Sequence, residues 1–209
     1  MIDLEQRRTE RSGRSQHGRP AFFFDLACPF SYLAAEQVPR ALGRVDWVPA
    51  SSNLISDEPW GRLEAVCAGA QRRALALRLP LVWPERHPAA RPRALRAAAH
   101  AASLGAGDRF VLAACRLAFC GGFDLEDSDV LAEAAAAAGI AIDACLAAAG
   151  DPAWDEVICT TARGLREHGA TRLPAFRVGR HFIQGERAIE AAALMREPAL
   201  GERPLAPVC

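Results

Sequence analysis

The sequence predicts an α/β fold in which strands from the two ends of the chain form one sheet and about 110 residues of helix are inserted between them. Three observations predict it. Residues 21–49 read as strand, helix, strand, within the span of a single crossover unit. Residues 175–195 read as a tight hairpin and a helix. Between them lie alanine-rich segments with helical periodicity, repeatedly closed by glycine or proline. A chain of 209 residues, 51% hydrophobic, has the material for one domain with a large insertion, and this excludes a disordered or low-complexity protein.

The elements follow in order. Ala21 to Leu26 is a short aromatic-rich run that suits a buried strand. Proline is favoured in the first turn of a helix, so a helix should start at Pro29 with Cys28 as its N-cap, kink at Pro39 and stop at Gly43. Val45 to Val48 alternates as a second strand and ends at Pro49. Leu63–Leu79, Arg93–Leu104 and Arg109–Phe119 are helical segments, the first two separated by a proline-rich connection over Leu81–Pro92. Ser128 should cap a helix over 129–138 closed by Gly139, and Asp143 a short one closed by Gly150. Asp151-Pro152 opens a last inserted helix, whose stripe is Trp154, Val157, Ile158, Thr161 and Leu165. Ala175–Val178 and Arg180–Ile183 flank Gly179 as a hairpin, and Gly185 starts a final helix through Met195.

Composition narrows the function classes. Acidic and basic residues balance at 25 each, which argues against a nucleic-acid partner held by bulk phosphate attraction. Every basic residue is Arg, so no mechanism needing a catalytic Lys applies. No segment approaches the roughly 20 apolar residues of a membrane span, and none near the start resembles a secretory core. The seven cysteines are irregularly spaced, without a C-x-x-C pair or a Cys/His set of zinc spacing. The expectations are therefore a cytoplasmic protein, no metal, no membrane and no nucleic acid.

Cys28 is the leading candidate for chemistry. A sulfur at a helix N-terminus lies near free backbone N–H groups and the positive end of the dipole, which favours the thiolate. Ser31, one turn on, could donate to that sulfur. Position alone leaves open that Cys28 is one more buried thiol. The expectation is that Cys28 is the most acidic and most readily modified of the seven, with Cys67, Cys115, Cys145 and Cys159 in apolar helical segments and Cys209 on the tail. Tyr32 and Asp25 read more simply as a core aromatic and a turn cap. Trp60, Trp83 and Phe123 could pack or line an apolar pocket, and Arg72, Arg73 and Arg78 look like a solvated face.

The run Phe22-Phe23-Phe24-Asp25-Leu26-Ala27-Cys28-Pro29-Phe30-Ser31-Tyr32-Leu33-Ala34 resembles the opening of DsbA-like thioredoxin-domain proteins. It is nearest the branch of 2-hydroxychromene-2-carboxylate isomerases and kappa-class glutathione transferases. Thr171–Phe176 is similar to that family's cis-proline segment, and Phe182–Arg187 to the segment opening its last helix. Leu79–Pro84 and Phe119–Asp124 are similar to segments of its helical insertion. The resemblance spans residues 21–195. It implies a thioredoxin-like domain over 20–52 and 170–196 with a helical insertion domain over 53–169, while the residues themselves read as a disordered polar tail at 1–19 and a second tail, with Pro198, Pro204 and Pro207, at 197–209.

By the same resemblance, Cys28 matches the first residue of the active tetrapeptide, an attacking Cys in the oxidoreductases and a Ser beside the glutathione sulfur in the isomerase branch. Leu173 matches the residue whose backbone pairs with a thiol ligand, and Pro174 the cis-proline. Gly185 and Glu186 match the turn that holds the γ-glutamyl end of glutathione. Ser31 stands where a dithiol site has its resolving Cys, so release of a mixed disulfide would need an external thiol. Three functions follow as expectations. The first is a glutathione-linked, monothiol oxidoreductase using Cys28 and Ser31. The second is a glutathione-dependent isomerase of an aromatic substrate, and the third a non-catalytic thioredoxin-fold binding protein. A small-molecule thiol or aromatic substrate is the implied partner, in a chain that could form a homodimer.

Overall fold

The computed structural model describes residues 19–57, 63–84 and 86–196. Four short strands, β1 (Ala21–Phe24), β2 (Asp46–Pro49), β3 (Ala175–Val178) and β4 (His181–Gln184), form one sheet in the order β2-β1-β3-β4. β1 and β2 run parallel with Phe22 opposite Trp47. β3 runs antiparallel to β1 with Phe176 opposite Phe22, and β4 returns antiparallel to β3.

The twofold alternation of strand side chains assigns a face to each aromatic. Phe22, Phe24, Trp47 and Phe176 share one core, where the Phe22 ring stacks on Phe176 at 4.8 Å and meets Trp47 edge-on at 5.0 Å. Phe23, Ala175 and Phe182 belong to the other face, packed with Ile55, Ala162, Leu165 and Leu173.

The helices are α1 (Pro29–Ala35), α2 (Val38–Ala41), α3 (Ser52–Ile55), α4 (Leu63–Leu77), α5 (Pro92–Ser103), α6 (Gly107–Phe119), α7 (Ser128–Ala138), α8 (Ile142–Gly150), α9 (Ala153–Glu167) and α10 (Ala188–Arg196). The expected kink at Pro39 is a break into α1 and α2, and Gly43 follows at a φ of 63°. Asp127, not Ser128, caps α7, its carboxylate accepting from the Asp129 amide at 2.8 Å. The last helix begins at Ala188 rather than Gly185, because Gly185 has a φ of 101°, outside any helix.

Buried alanines let the inserted helices approach closely. Ala94, Ala97, Ala98 and Ala101 of α5 and Ala114 and Ala118 of α6 are all buried. These residues join Phe22, Phe24 and α1 in one continuous cluster, so α5 to α8 share a core with one face of the sheet. Tyr32 belongs to that core, stacked on Phe119 at 5.5 Å and donating its hydroxyl to the Pro80 carbonyl at 2.9 Å. Arg116 of α6 reaches back to Glu36, at the end of α1, through two bonds of 2.6 and 2.8 Å. Among the described residues no helix is long and apolar enough to cross a membrane.

Candidate active site

The site is built where β1 gives way to α1. Phe24 ends the strand, and Asp25 to Ala27 turn the chain. Cys28 is the N-cap of α1, with extended backbone (φ −92°, ψ 116°) and Pro29 behind it. The Cys28 carbonyl accepts the Ser31 and Tyr32 amides at 3.0 and 3.3 Å, while its own amide donates to the Asp25 carbonyl at 3.0 Å. Cys28 makes no side-chain cap bond. Its thiol instead crosses to the distal half of the chain and donates to the Leu173 carbonyl at 3.5 Å. Leu173 precedes Pro174 through a cis peptide bond. A thiol and a carbonyl 145 residues apart in sequence thus meet at the floor of the site.

The expectation of an acidic thiol is corrected. Cys28 is only 5% exposed, and burial pushes its pKa up to about 11, helped by the nearby Asp25 carboxylate. The backbone N–H groups of Phe30 and Ser31 and the Ser31 hydroxyl act in the opposite sense, as the helix N-terminus should, and are outweighed. The helix end was legible in the sequence; the burial of the sulfur was not. Ser31 is buried beside it, its Oγ accepting the Asp25 amide at 3.2 Å.

Asp25 does more than cap a turn. One carboxylate oxygen accepts the Ala27 amide at 2.9 Å, and the other accepts the Ser52 amide at 2.7 Å, at the start of α3. Burial raises its pKa, against the pull of those two bonds and of the Arg91 guanidinium. Arg91 is itself buried, donates to the Arg86 carbonyl at 2.6 Å and approaches Asp124 at 3.7 Å. Ser52 and Arg91 thereby support the Cys28 loop without any local sequence signal that would have found them.

Gly185 and Glu186 lie on the same side of the molecule. The Gly185 amide donates to the Pro174 carbonyl at 2.8 Å, and the Ala188 amide to the Gly185 carbonyl at 3.0 Å, which fixes the turn into α10. Glu186 is exposed, yet its Oε2 lies near Gly69 of α4, as does the Phe30 ring from the first turn of α1. The loop before Pro174 is held by Gln184, whose side-chain oxygen accepts the Thr171 and Arg172 amides at 2.7 and 3.1 Å while its nitrogen donates to the Gly169 carbonyl at 3.2 Å. Gln184 was missed because its role depends on a cross-strand approach and not on a motif.

Other expectations divide. Arg73 is not part of a solvated face: it is ion-paired with Glu190 of α10. Cys159 is exposed rather than packed. The Trp83 ring meets His87 at 4.8 Å, tilted by 37°, and Phe123 is exposed. Trp60 and Cys209 lie outside the described residues. A cavity of about 600 Å³ opens between Trp47, Ala102, Gly105 and Asp108, away from Cys28, and its lining includes none of the predicted site residues. Among the described residues no group of His, Cys, Asp or Glu could hold a metal.

Among curated proteins, none matches this chain. Solved structures do. A 2-hydroxychromene-2-carboxylate isomerase superposes with a TM-score of 0.73 at 18% identity, covering 85% of this chain and 94% of its own. The cytosolic disulfide reductase DsbM from Pseudomonas aeruginosa superposes with a TM-score of 0.62 at 19% identity, over 85% of this chain and 96% of its own. The same reductase solved with GSH gives 0.61 at 18% identity, over the same shares of the two chains. At these identities the likeness is one of fold. The sequence model of the DSBA-like thioredoxin domain matches residues 21–194, so the chain belongs to the DSBA-like thioredoxin family.

Proposed function

We propose that the protein is a glutathione-linked thiol oxidoreductase that works through the single thiol of Cys28. The observation that carries this reading is the meeting of the Cys28 sulfur, at the first turn of α1, with the Leu173 carbonyl beside cis-Pro174. A ligand that pairs with the Leu173 backbone would take over that carbonyl, release the thiol from that bond and leave the sulfur facing the Phe30 and Ser31 amides. On losing its proton, Cys28 would attack one sulfur of a mixed disulfide, forming a new S–S bond as the other sulfur leaves as a thiolate. Ser31 offers a hydroxyl where a dithiol enzyme has its second sulfur, so the chain itself supplies no adjacent group to resolve the bond. Glutathione supplies that second thiol.

The residues fit such a ligand in two respects. Gly185 has the positive φ needed for the turn beneath Glu186, and Glu186 offers an accessible carboxylate at the same end of the site. Oxidised glutathione and mass spectrometry test the reading. One glutathionyl group on Cys28, absent in Cys28→Ser, is the expected result, and modification confined to the other cysteines overturns it.

One observation favours a second reading. A thiol held protonated by burial can donate a hydrogen bond as a serine hydroxyl does, which is the role of this position in the isomerase branch. Glutathione-dependent isomerisation of 2-hydroxychromene-2-carboxylate that survives Cys28→Ser would establish that reading over the first.

A further inference from the structure

Acidic and basic residues balance over the whole chain but are separated along it. Residues 124–156 hold nine carboxylates and no base, while residues 163–181 hold five Arg and two His against one carboxylate, Glu167. Arg163, Arg166, Arg172, Arg177 and Arg180 are all exposed, and none is ion-paired with a described residue. Like charges left unpaired at close quarters repel one another, so such a surface is held at a cost that an anionic partner would relieve.

The fold gathers these cations onto one surface. Arg163 and Arg166 lie in the second half of α9, which ends at His168. The His168 ring approaches the Phe182 ring of β4 at 6.4 Å. Arg177 of β3 stands opposite Phe182, and cross-strand partners share a face. Gln184 ties β4 to the loop carrying Arg172, through its bonds to the Thr171 and Arg172 amides. The surface thus runs from Leu173, whose carbonyl meets Cys28, across β3 and β4 to α9. It also holds an apolar socket. A cavity of about 460 Å³ lies between α3 and α9, lined by Leu54, Cys159 and Ala162 and flanked by Arg163, Arg166 and Glu167. Leu54 is 40% exposed there. The helix macrodipole accounts for Arg near the end of α9, but not for Arg177 and Arg180 at the β3–β4 hairpin.

Building on the thiol-oxidoreductase reading, we propose that this surface docks an acidic polypeptide segment, so that Cys28 acts on glutathionylated proteins whose modified Cys lies in acidic sequence containing apolar residues. Guanidinium forks suit carboxylates, and the socket takes an apolar side chain between them. A nucleic acid fits less well. Its phosphates continue at constant spacing, and the acidic run that reaches Asp155 and Glu156 in the first turn of α9 repels them. Docking holds the substrate while Cys28 takes its glutathionyl sulfur: one S–S bond breaks, another forms, and the protein leaves as its thiolate. Glutathione then returns Cys28 to the thiol and departs as glutathione disulfide.

Fluorescence anisotropy with Cys-free peptides tests docking without thiol chemistry. A labelled peptide of mixed Glu and Leu should bind the full chain at low salt, and lose about tenfold or more in affinity between about 0.02 M and about 0.2 M salt. Its Lys counterpart should not bind measurably. Arg166→Gln and Arg177→Gln should each weaken binding about two- to fivefold, as loss of an exposed charge pair does, and the triple change with Arg163→Gln about tenfold or more. Asp143→Asn, on the acidic side, should not weaken it. With glutathione present, an acidic glutathionylated peptide should be reduced with a kcat/KM about tenfold above that of a basic one. The triple variant should lose that preference while Cys28 still takes up glutathione from oxidised glutathione at the wild-type rate. Equal affinity for the Glu and Lys peptides, undiminished affinity in the triple variant, or tighter binding of an oligonucleotide of equal charge overturns the proposal. Acidic-peptide binding by a chain whose Cys28 takes up no glutathione keeps the docking surface and sinks the thiol chemistry beneath it.

Discussion

Cys28 sets two opposing effects against each other within one turn of helix. The amides of Phe30 and Ser31 and the Ser31 hydroxyl favour the thiolate, and burial opposes it more strongly. The expected consequence is a thiol that alkylates slowly at neutral pH, with the rate rising toward a midpoint near 11. Iodoacetamide kinetics against pH, read on Cys28 by peptide mass spectrometry, checks it; a midpoint below the ordinary thiol value would sink it. Ser31→Ala removes a group that stabilises the thiolate and should move the midpoint up. Asp25→Asn removes a neighbouring negative charge and should move it down, while costing about 1–3 kcal/mol because a carboxamide cannot accept both the Ala27 and Ser52 amides as the carboxylate does. Among the described thiols the exposed Cys159, not Cys28, is then the one expected to label first at neutral pH. The sequence placed Cys28 correctly at the head of a helix, since Cys-Pro after an aromatic strand is a local signal. Its ionisation depends on how deeply the whole fold buries the sulfur, and no local pattern carries that.

At the scale of elements, legibility followed the range of the interactions. Strands β1 and β3 and helices α5 to α9 were evident, because side-chain alternation, helical periodicity and glycine stops are all local. The misplaced boundaries have local causes too. Asp127 outcompeted Ser128 as a cap, and Gly185 could not enter the helix it precedes. What escaped was the bracing between elements, of which Gln184 is the clearest case. Its side chain on β4 makes four bonds to the loop that leads into Leu173 and Pro174. Gln184→Ala should therefore loosen the floor of the site more than the fold. The expected stability loss in urea is about 1–2 kcal/mol, with a larger relative fall in the rate of Cys28 glutathionylation. A stability loss with an unchanged rate would show that the loop does not depend on the brace.

For the molecule as a whole, the absence of lysine has a thermodynamic use. All 25 basic residues are Arg, and the chain has seven Cys and a single Tyr, so its side-chain titration in the alkaline range belongs almost wholly to thiols and Tyr32. Three of those thiols sit in the shared core or beside it. Burial raises Cys28 and Cys145 to about 11 and Cys115 further still. Each is a group whose folded value lies above its unfolded value of 9.0. Such a group stabilises the fold fully below the unfolded value, and that contribution is lost as pH rises through the folded one. For Cys28 alone the loss across that window is on the order of 2 to 3 kcal/mol. Set against a typical domain stability of about 5–15 kcal/mol, ionisation of three buried thiols would remove a substantial share of it. Because α5 to α8 and the sheet share one hydrophobic cluster, the unfolding should be a single transition and not a separate melting of the inserted helices. Urea midpoints measured from about pH 8 to about pH 10.5 should fall steadily, with coincident curves from near- and far-ultraviolet dichroism. Cys115→Ala should start less stable at the lower pH, through lost packing, and then fall less steeply, because its thiol no longer resists ionisation. Equal slopes in the variant and the wild type would mean that the alkaline loss comes from outside the core.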